Sequence, residues 1–316
     1  MDYQGTIQEV MTALNDLLKA LRSEKAGSQL SRVSTFQLGI LPVTIVYPAI
    51  ALLPDSEMYT RFESGGHYTV ERNFQIEGFI KELDITSAQQ RATTLGEEIR
   101  DGLLRRASIR KSDKEKSLVG FGMTVGNLTL AEGVSNEDFV IGKFILPITV
   151  FSHSVIPSTK KVEQTHTERP EKEVFSKLLE ILKANRSLMF SVVRPSNIFS
   201  VVLPGLGTFN TPAVFVEEIS SDLLRRESGR DTIIRNFVIS VYTSAIPKPQ
   251  LLWSNLEVLE GIRDTILVNS QLDGLAKRTV VDKSSFYIST LKGSNSYFYR
   301  SSLDVKVECF RGVDFV

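Results

Sequence analysis

Apolar positions along this chain follow two rhythms that alternate and then begin again. Ile7, Val10, Leu14, Leu17, Leu18 and Leu21 recur at three- and four-residue steps, which is the spacing of one helical face. Val174, Leu178, Ile181 and Leu182 repeat that rhythm. Phe74, Ile76, Gly78 and Ile80 alternate as one face of a strand does, and Phe237, Ile239 and Val241 match them. Helical spacing then returns at Leu95, Ile99 and Leu103 and again at Leu259, Ile262 and Ile266. The segment LDVKVECF (303–310) alternates, with Leu303, Val305, Val307 and Cys309 on the inward face. The apolar tract ILPVTIVYPAIALLP (40–54) holds three prolines, is too short to span a bilayer, and reads as consecutive strands.

The second round resembles the first in letters as well as in rhythm. A shift of 164 residues carries EVMTALNDLLKALRS (9–23) onto EVFSKLLEILKANRS (173–187), Pro48-Ala49 onto Pro212-Ala213, and Glu63-Ser64-Gly65 onto Glu227-Ser228-Gly229. Identities fall away across residues 24–47, which reads as a diverged segment or a loop. One residue is lost after the glycine, so RFESGGHYTVERNF (61–74) returns as RRESGRDTIIRNF (225–237). A shift of 163 then maps Arg72-Asn73-Phe74 onto Arg235-Asn236-Phe237, and Ile99-Arg100-Asp101 onto Ile262-Arg263-Asp264. A shift of 159 closes the match, setting ILPITVF (145–151) beside DVKVECF (304–310).

These patterns predict an α+β protein built as two tandem copies of an α-β-β-α-β-β unit. Each copy is a mainly antiparallel sheet with helices packed on one face, because alternating strands leave one face of the sheet polar. Hairpin turns are expected around Ser135-Asn136 and Ser294-Asn295. The first domain spans residues 1–157 and the second 158–316, joined by a polar linker over about residues 157–170 that is bounded by prolines.

Bulk properties narrow the functional classes. At 316 residues with 42% hydrophobic content, the chain has material for two ordinary cores. Thirty-seven basic residues balance thirty-seven acidic ones, so the molecule as a whole is not a basic glove for nucleic acid. A lone cysteine, Cys309, excludes an intrachain disulfide framework and cysteine-based zinc sites. Its counterpart at the shift of 159 is Val150, which points to a core thiol. The N-terminus lacks the basic and apolar blocks of a secretory signal, so the expectation is a soluble protein in a reducing compartment.

Signals for catalysis are weak. His67, His153 and His166 have no second ligand at helical or hairpin spacing. GFGMTVG (120–126) leads into a strand-like segment where a dinucleotide loop leads into a helix. LPGLGTF (203–209) lacks the Lys-Ser/Thr of a phosphate loop. No catalytic residue, cofactor or metal is therefore assigned, and the chain does not read as an enzyme.

Charged residues that recur in both copies stand out: Arg61 and Arg225, Glu63 and Glu227, Arg72 and Arg235, Arg100 and Arg263, Asp101 and Asp264. Exposed ion pairs contribute little to folding, so their retention calls for a reason. One is an internal network that holds the charged turn against the second helix. The other is a contact that each copy makes with a neighbour in a ring. A third feature belongs to the first copy alone. RRASIRKSDKEKS (105–117) carries Arg105, Arg106, Arg110, Lys111, Lys114 and Lys116 against two acidic residues. It reads either as a solvated loop or as a loop facing DNA or an acidic partner.

This order of elements (helix, Pro-led strand, charged turn, alternating strand, Ile-Arg-Asp helix, final strands) resembles the tail terminator and tail-completion proteins of tailed bacteriophages, including the lambda-type terminator. The resemblance covers both copies and rests on element order and length. It implies a structural virion protein that caps the tail tube and forms part of the neck, assembled in the host cytoplasm. Implied partners are further copies in a ring, the tail tube and sheath protein, and head-tail connector or neck proteins, with non-specific proximity to genomic DNA and no membrane. Duplication departs from the family: three chains would supply six domains to a six-fold tube, and six chains would supply twelve. The alternative is a duplicated assembly adaptor elsewhere in a phage tail or contractile injection particle, in a collar, sheath or baseplate. A site between the two copies would instead mark an enzyme.

Overall fold

The structure is a computed structural model that describes residues 6–24, 27–42, 45–63, 67–106, 109–110, 118–131, 138–155, 170–189, 192–200, 211–227, 230–245, 249–290 and 297–312. Its chain divides into two compact units, the first made for the most part of residues 1–154 and the second of residues 155–316.

The first unit opens with helix α1 (Ile7–Glu24). Its start is a reciprocal cap: the Glu9 amide donates to Thr6 Oγ1 at 3.1 Å, and the Thr6 amide donates to Glu9 Oε2 at 3.0 Å. A short 3-10 turn (Leu30–Arg32) follows, then strand β1 (Thr35–Leu38), β2 (Ala49–Glu63) and β3 (His67–Glu82). Helix α2 (Ile85–Leu104) starts at Asp84, whose carboxylate accepts from the Ser87 amide at 2.8 Å. After it come β4 (Ile109–Arg110), β5 (Leu118–Gly120), β6 (Gly122–Val125), β7 (Thr129–Ala131) and the long β8 (Val140–Val155). The sheet runs β6-β8-β3-β2, with β1 added to β2 in parallel and β7 paired to β8. Side chains show that β3 lies antiparallel to both neighbours: Arg72 meets Glu57 and Ser152, Asn73 meets Ser56 and Thr149, and Glu77 meets Lys143.

Alternation decides what this sheet buries. Phe74, Ile76 and Ile80 of β3 and Phe144, Leu146, Ile148 and Val150 of β8 are all at most 1% exposed. Helix α2 lies on this face with Leu95, Ile99 and Leu103 buried, and Leu21 of α1 packs on α2 at Gly102. Gly78 makes room for the ring of Phe144, because a Cβ there would come within 1.9 Å of it.

The second unit repeats the order. Helix α3 (Pro170–Met189) leads through a 3-10 turn (Pro195–Asn197) to β9 (Ile198–Phe199), β10 (Ala213–Glu227) and β11 (Arg230–Ala245). Helix α4 (Pro249–Val268), another 3-10 turn (Leu272–Gly274), β12 (Arg278–Thr290) and β13 (Tyr297–Gly312) complete it. The sheet runs β12-β13-β11-β10-β9, antiparallel except for the β9–β10 pair. Phe175 of α3 stacks on Phe237 of β11, with ring centroids 6.0 Å apart. On the sheet's other face Phe215 sits between Phe199 at 4.9 Å and Tyr242 at 5.4 Å, a small second core.

Both units are α+β and mainly antiparallel, as the alternation of apolar residues predicts. The long strands correspond closely: β2 and β10 begin 164 residues apart at Ala49 and Ala213, and β3 and β11 begin 163 apart at His67 and Arg230. Tyr47–Pro48 and Thr211–Pro212, the aligned proline junctions, are both cis. Cys309 is buried on β13, and Val150 is buried on β8.

Three expectations need correction. A short strand parallel to the long hairpin precedes it in each unit, where the sequence suggests none; only four and two residues long, these strands carry too little alternation to be read. Residues 40–54 are not consecutive strands: a turn follows β1 at Gly39 (φ 84°), and β2 starts only at Ala49. In the first unit the penultimate strand is broken into β6 and β7, each pairing with a different stretch of β8, whereas β12 is continuous. The expected hairpin turns at Ser135-Asn136 and Ser294-Asn295, the polar linker up to residue 169, the glycine segment 203–209, and the bends at Gly65 and Gly229 lie outside the described residues.

Candidate interaction site

Arg72 and Arg235, two of the recurring arginines of the hairpins, bond to side chains of their own units. Arg72, on β3, is fully buried. Its Nε donates to Glu57 Oε1 of β2 at 2.6 Å, and its Nη1 donates to Ser152 Oγ of β8. Glu57 is buried too and also accepts from the Tyr59 hydroxyl at 3.2 Å. One guanidinium therefore ties three adjacent strands together at the end of the core face, although its Nη2 has no partner among the described residues. Arg235, on β11, grips one acid with two nitrogens: Nε donates to Glu218 Oε1 at 2.6 Å, and Nη2 to Oε2 of the same residue. Its guanidinium also lies 5.4 Å from the centroid of the Phe237 ring.

The two clamps use acids that do not correspond. At the shift of 164, Glu57 aligns with Ser221 and Glu218 aligns with Pro54. That is why repeat matching finds the arginines and misses Glu57, Glu218 and Ser152. A cross-strand acid beside an alternating arginine is the only signal that could have found them.

On the second helices the recurring pair behaves differently in each unit. Arg263 is 6% exposed, and both its Nε and Nη2 reach Oδ1 of the adjacent Asp264 at 2.8 Å. Arg100 is half-buried, with Nε unpartnered among the described residues, while Asp101 is exposed. Arg61, Glu63 and Glu227 lie on the backbones of β2 and β10, with side chains outside the described residues, and Arg225 is exposed on β10.

Part of the basic segment has a local structural role. Arg105 caps the C-terminus of α2, and Arg106 reaches back to Glu24 of α1 at 2.8 Å. Within the segment Ile109 pairs with Gly120 and Arg110 with Leu118, a short antiparallel pair of β4 with β5. Lys111, Lys114 and Lys116 lie outside the described residues.

Among the histidines, His153 stacks on Phe121 with centroids 4.7 Å apart; His67 begins β3, and His166 lies outside the described residues. Among the described residues no His/Cys/Asp/Glu group is arranged to hold a metal, and no helix is long and apolar enough to cross a membrane.

Two further acids sit on β13. Glu308 is buried and accepts from Lys277 Nζ and Arg278 Nε, both at 2.8 Å. The Lys277 hydrogen bond, helped by Arg278 and opposed by burial, holds its carboxyl below the usual range. Burial pushes Asp304 the other way, abetted by Asp282, against the pull of Lys283 and Lys306.

The most exposed stretch of regular structure is on β10. Residues 218–225 are exposed without interruption, and Ile219, Leu223 and Leu224 are each more than half exposed. Beyond Phe215, the outer edge of β10 has no strand partner among the described residues. Such a surface, with exposed apolar side chains among polar and charged ones, is suited to protein contacts.

No protein-family model and no curated protein matches this chain.

Proposed function

We propose that the chain is a structural virion protein, a tail terminator that caps the phage tail tube and forms part of the head-tail junction, working by surface complementarity and not by catalysis. The observation that carries this reading is the element order found in each unit: helix, Pro-led strand, charged hairpin, second helix, closing strands. It is the order on which the resemblance to tail terminators rests, and it occurs twice. In this reading the chain is a tandem duplication, and three or six chains supply six or twelve equivalent units to a ring. The arginine clamps stiffen the hairpins, and exposed strand residues make the contacts with tube, connector and neighbouring chains.

The test is direct. Purified protein is mixed with assembling tail tubes and viewed by electron microscopy, with its mass measured alone and after tube binding. A ring of this chain at one end of tubes of uniform length is the expected result. Protein that never binds tubes, or tubes that elongate past it, would refute the reading, and binding along a collar, sheath or baseplate would transfer it to an assembly adaptor.

A further inference from the structure

We infer that the outer edge of β10 is a self-association site, where β10 of a second copy of this chain pairs antiparallel across a two-fold axis centred on Ser221. The inference does not depend on the role in a phage tail.

The first observation is exposure. Eight consecutive residues of a regular strand, 218–225, are exposed, while the aligned stretch of β2 is half-buried or buried over most of its length. The second is composition. Where β2 has Asp55, Tyr59 and Thr60, β10 has Ile219, Leu223 and Leu224. Apolar residues thus replace polar or amphipathic ones on the strand whose edge is open. Natural edge strands avoid this with Lys, Pro or inward charges, and β10 contains no Lys or Pro.

The third observation commits the occupant, because the strand complements itself. Its first part is acidic (Glu217, Glu218), its centre sets Ile219, Leu223 and Leu224 around Ser220, Ser221 and Asp222, and Arg225 and Arg226 follow before the terminal Glu227. Two register irregularities, between Glu218 and Ser220 and between Leu223 and Arg225, leave Ile219 and Leu224 as extra residues. Glu217 pairs with Val238 and Arg225 with Thr232, so both point to the same face of the sheet. With Ser221 on the two-fold axis, Glu217 of each copy stands opposite Arg225 of the other, and Ile219 opposite Leu223. Directly opposed residues in antiparallel strands share a face, so the register satisfies the ion pairs sterically as well as electrically. Every contact occurs twice, as an isologous interface requires.

The experiment measures the mass of the full chain by light scattering and sedimentation over a wide concentration range. The expected species is twice the 35.3 kDa chain mass, or an even multiple of that mass. Glu217→Arg or Arg225→Glu alone should raise the dissociation constant about tenfold or more, since each puts two like-charged pairs face to face. The double variant should recover most of the loss, a rescue that a merely structural role would not produce. Ile219→Lys should also weaken association.

A second measurement covers the case in which a charge variant fails to fold. Opposed Cα atoms in an antiparallel pair are roughly 4.5–5.5 Å apart, within disulfide reach. Ser221→Cys should therefore give a covalent dimer under mild oxidation, while Asp282→Cys, at an exposed position of β12, should not; the natural Cys309 is buried and silent. A monomer at every concentration would overturn the inference. So would an oligomer indifferent to the β10 variants, or a Ser221→Cys chain that oxidises no faster than Asp282→Cys.

Discussion

Replacing Arg72 by Met should destabilise the protein by about 3–5 kcal/mol, the usual cost of leaving one member of a buried ion pair uncompensated. The magnitude follows from burial. The Arg72 and Glu57 side chains are 0% and 2% exposed, with 2.6 Å between Nε and Oε1. At that spacing the gross attraction in an effective dielectric near 20 is about 6 kcal/mol. Desolvation of both groups offsets much of it, so the intact pair contributes little net stability. Truncation exposes the asymmetry: Glu57 keeps its desolvation cost without the guanidinium that offset it, and Ser152 loses its donor. Replacing both members, as Arg72→Met with Glu57→Leu, removes the stranded charge and should recover most of the loss. Arg235→Met is the internal comparison. Its pair with Glu218 is 11% and 31% exposed, so water screens it and the loss should be near 1 kcal/mol. Urea unfolding followed by circular dichroism gives each value from the midpoint shift at constant slope. A loss from Arg72→Met no larger than that from Arg235→Met, or a double variant no better than Arg72→Met, would refute the reasoning.

Gly78→Ala should cost about 1–3 kcal/mol by overpacking, because its Cβ would lie 1.9 Å from the Phe144 ring; adding Phe144→Leu should restore part of the loss in the same urea assay. Glu308 and Asp304 should give opposite pH dependences. The carboxyl of Glu308 is lowered in the folded state, so its contribution is present above the usual carboxylate range and fades as pH falls through the lowered value. Asp304 is raised, so its carboxylate costs stability once pH rises through the ordinary range and above its folded value. Across about pH 3–7, Glu308→Gln should lower stability most at the neutral end and Asp304→Asn should raise it there. Reversing the charge of Arg110 and Lys111, while keeping Arg105 at the end of α2 and Arg106 with its tie to Glu24, should impair tail joining or DNA passage with an unchanged melting temperature. Normal infectivity of particles carrying that variant would remove the basic segment from the functional account.

Much of the fold was legible because burial has a period. Leu14 and Leu178, Phe74 and Phe237, and Ile99 and Ile262 are all buried where the spacing puts them, at the same places in the two units. The interaction residues were less legible. Repetition drew attention to Arg72 and Arg235, yet one is sealed among three strands and the other half-wrapped around Glu218. The residues exposed on β10 carry no such signal, since Ile219, Leu223 and Leu224 align with Asp55, Tyr59 and Thr60 and look like ordinary strand apolars.

From the amino-acid order alone come the main helices and long strands and their order, because hydrogen-bonding geometry and side-chain periodicity act over a few residues. The sequence also places Cys309 in a core, since alternation assigns its face. What the tertiary structure decided is which neighbour each charge meets. The partners of Arg72 stand 15 and 80 residues away, and no local pattern encodes the register that brings Glu57 and Ser152 to it. The structure also decided which strand edge stays open. An apolar side chain on β10 and one on β3 obey the same local rules, and only what packs against each face determines that one is buried and the other exposed.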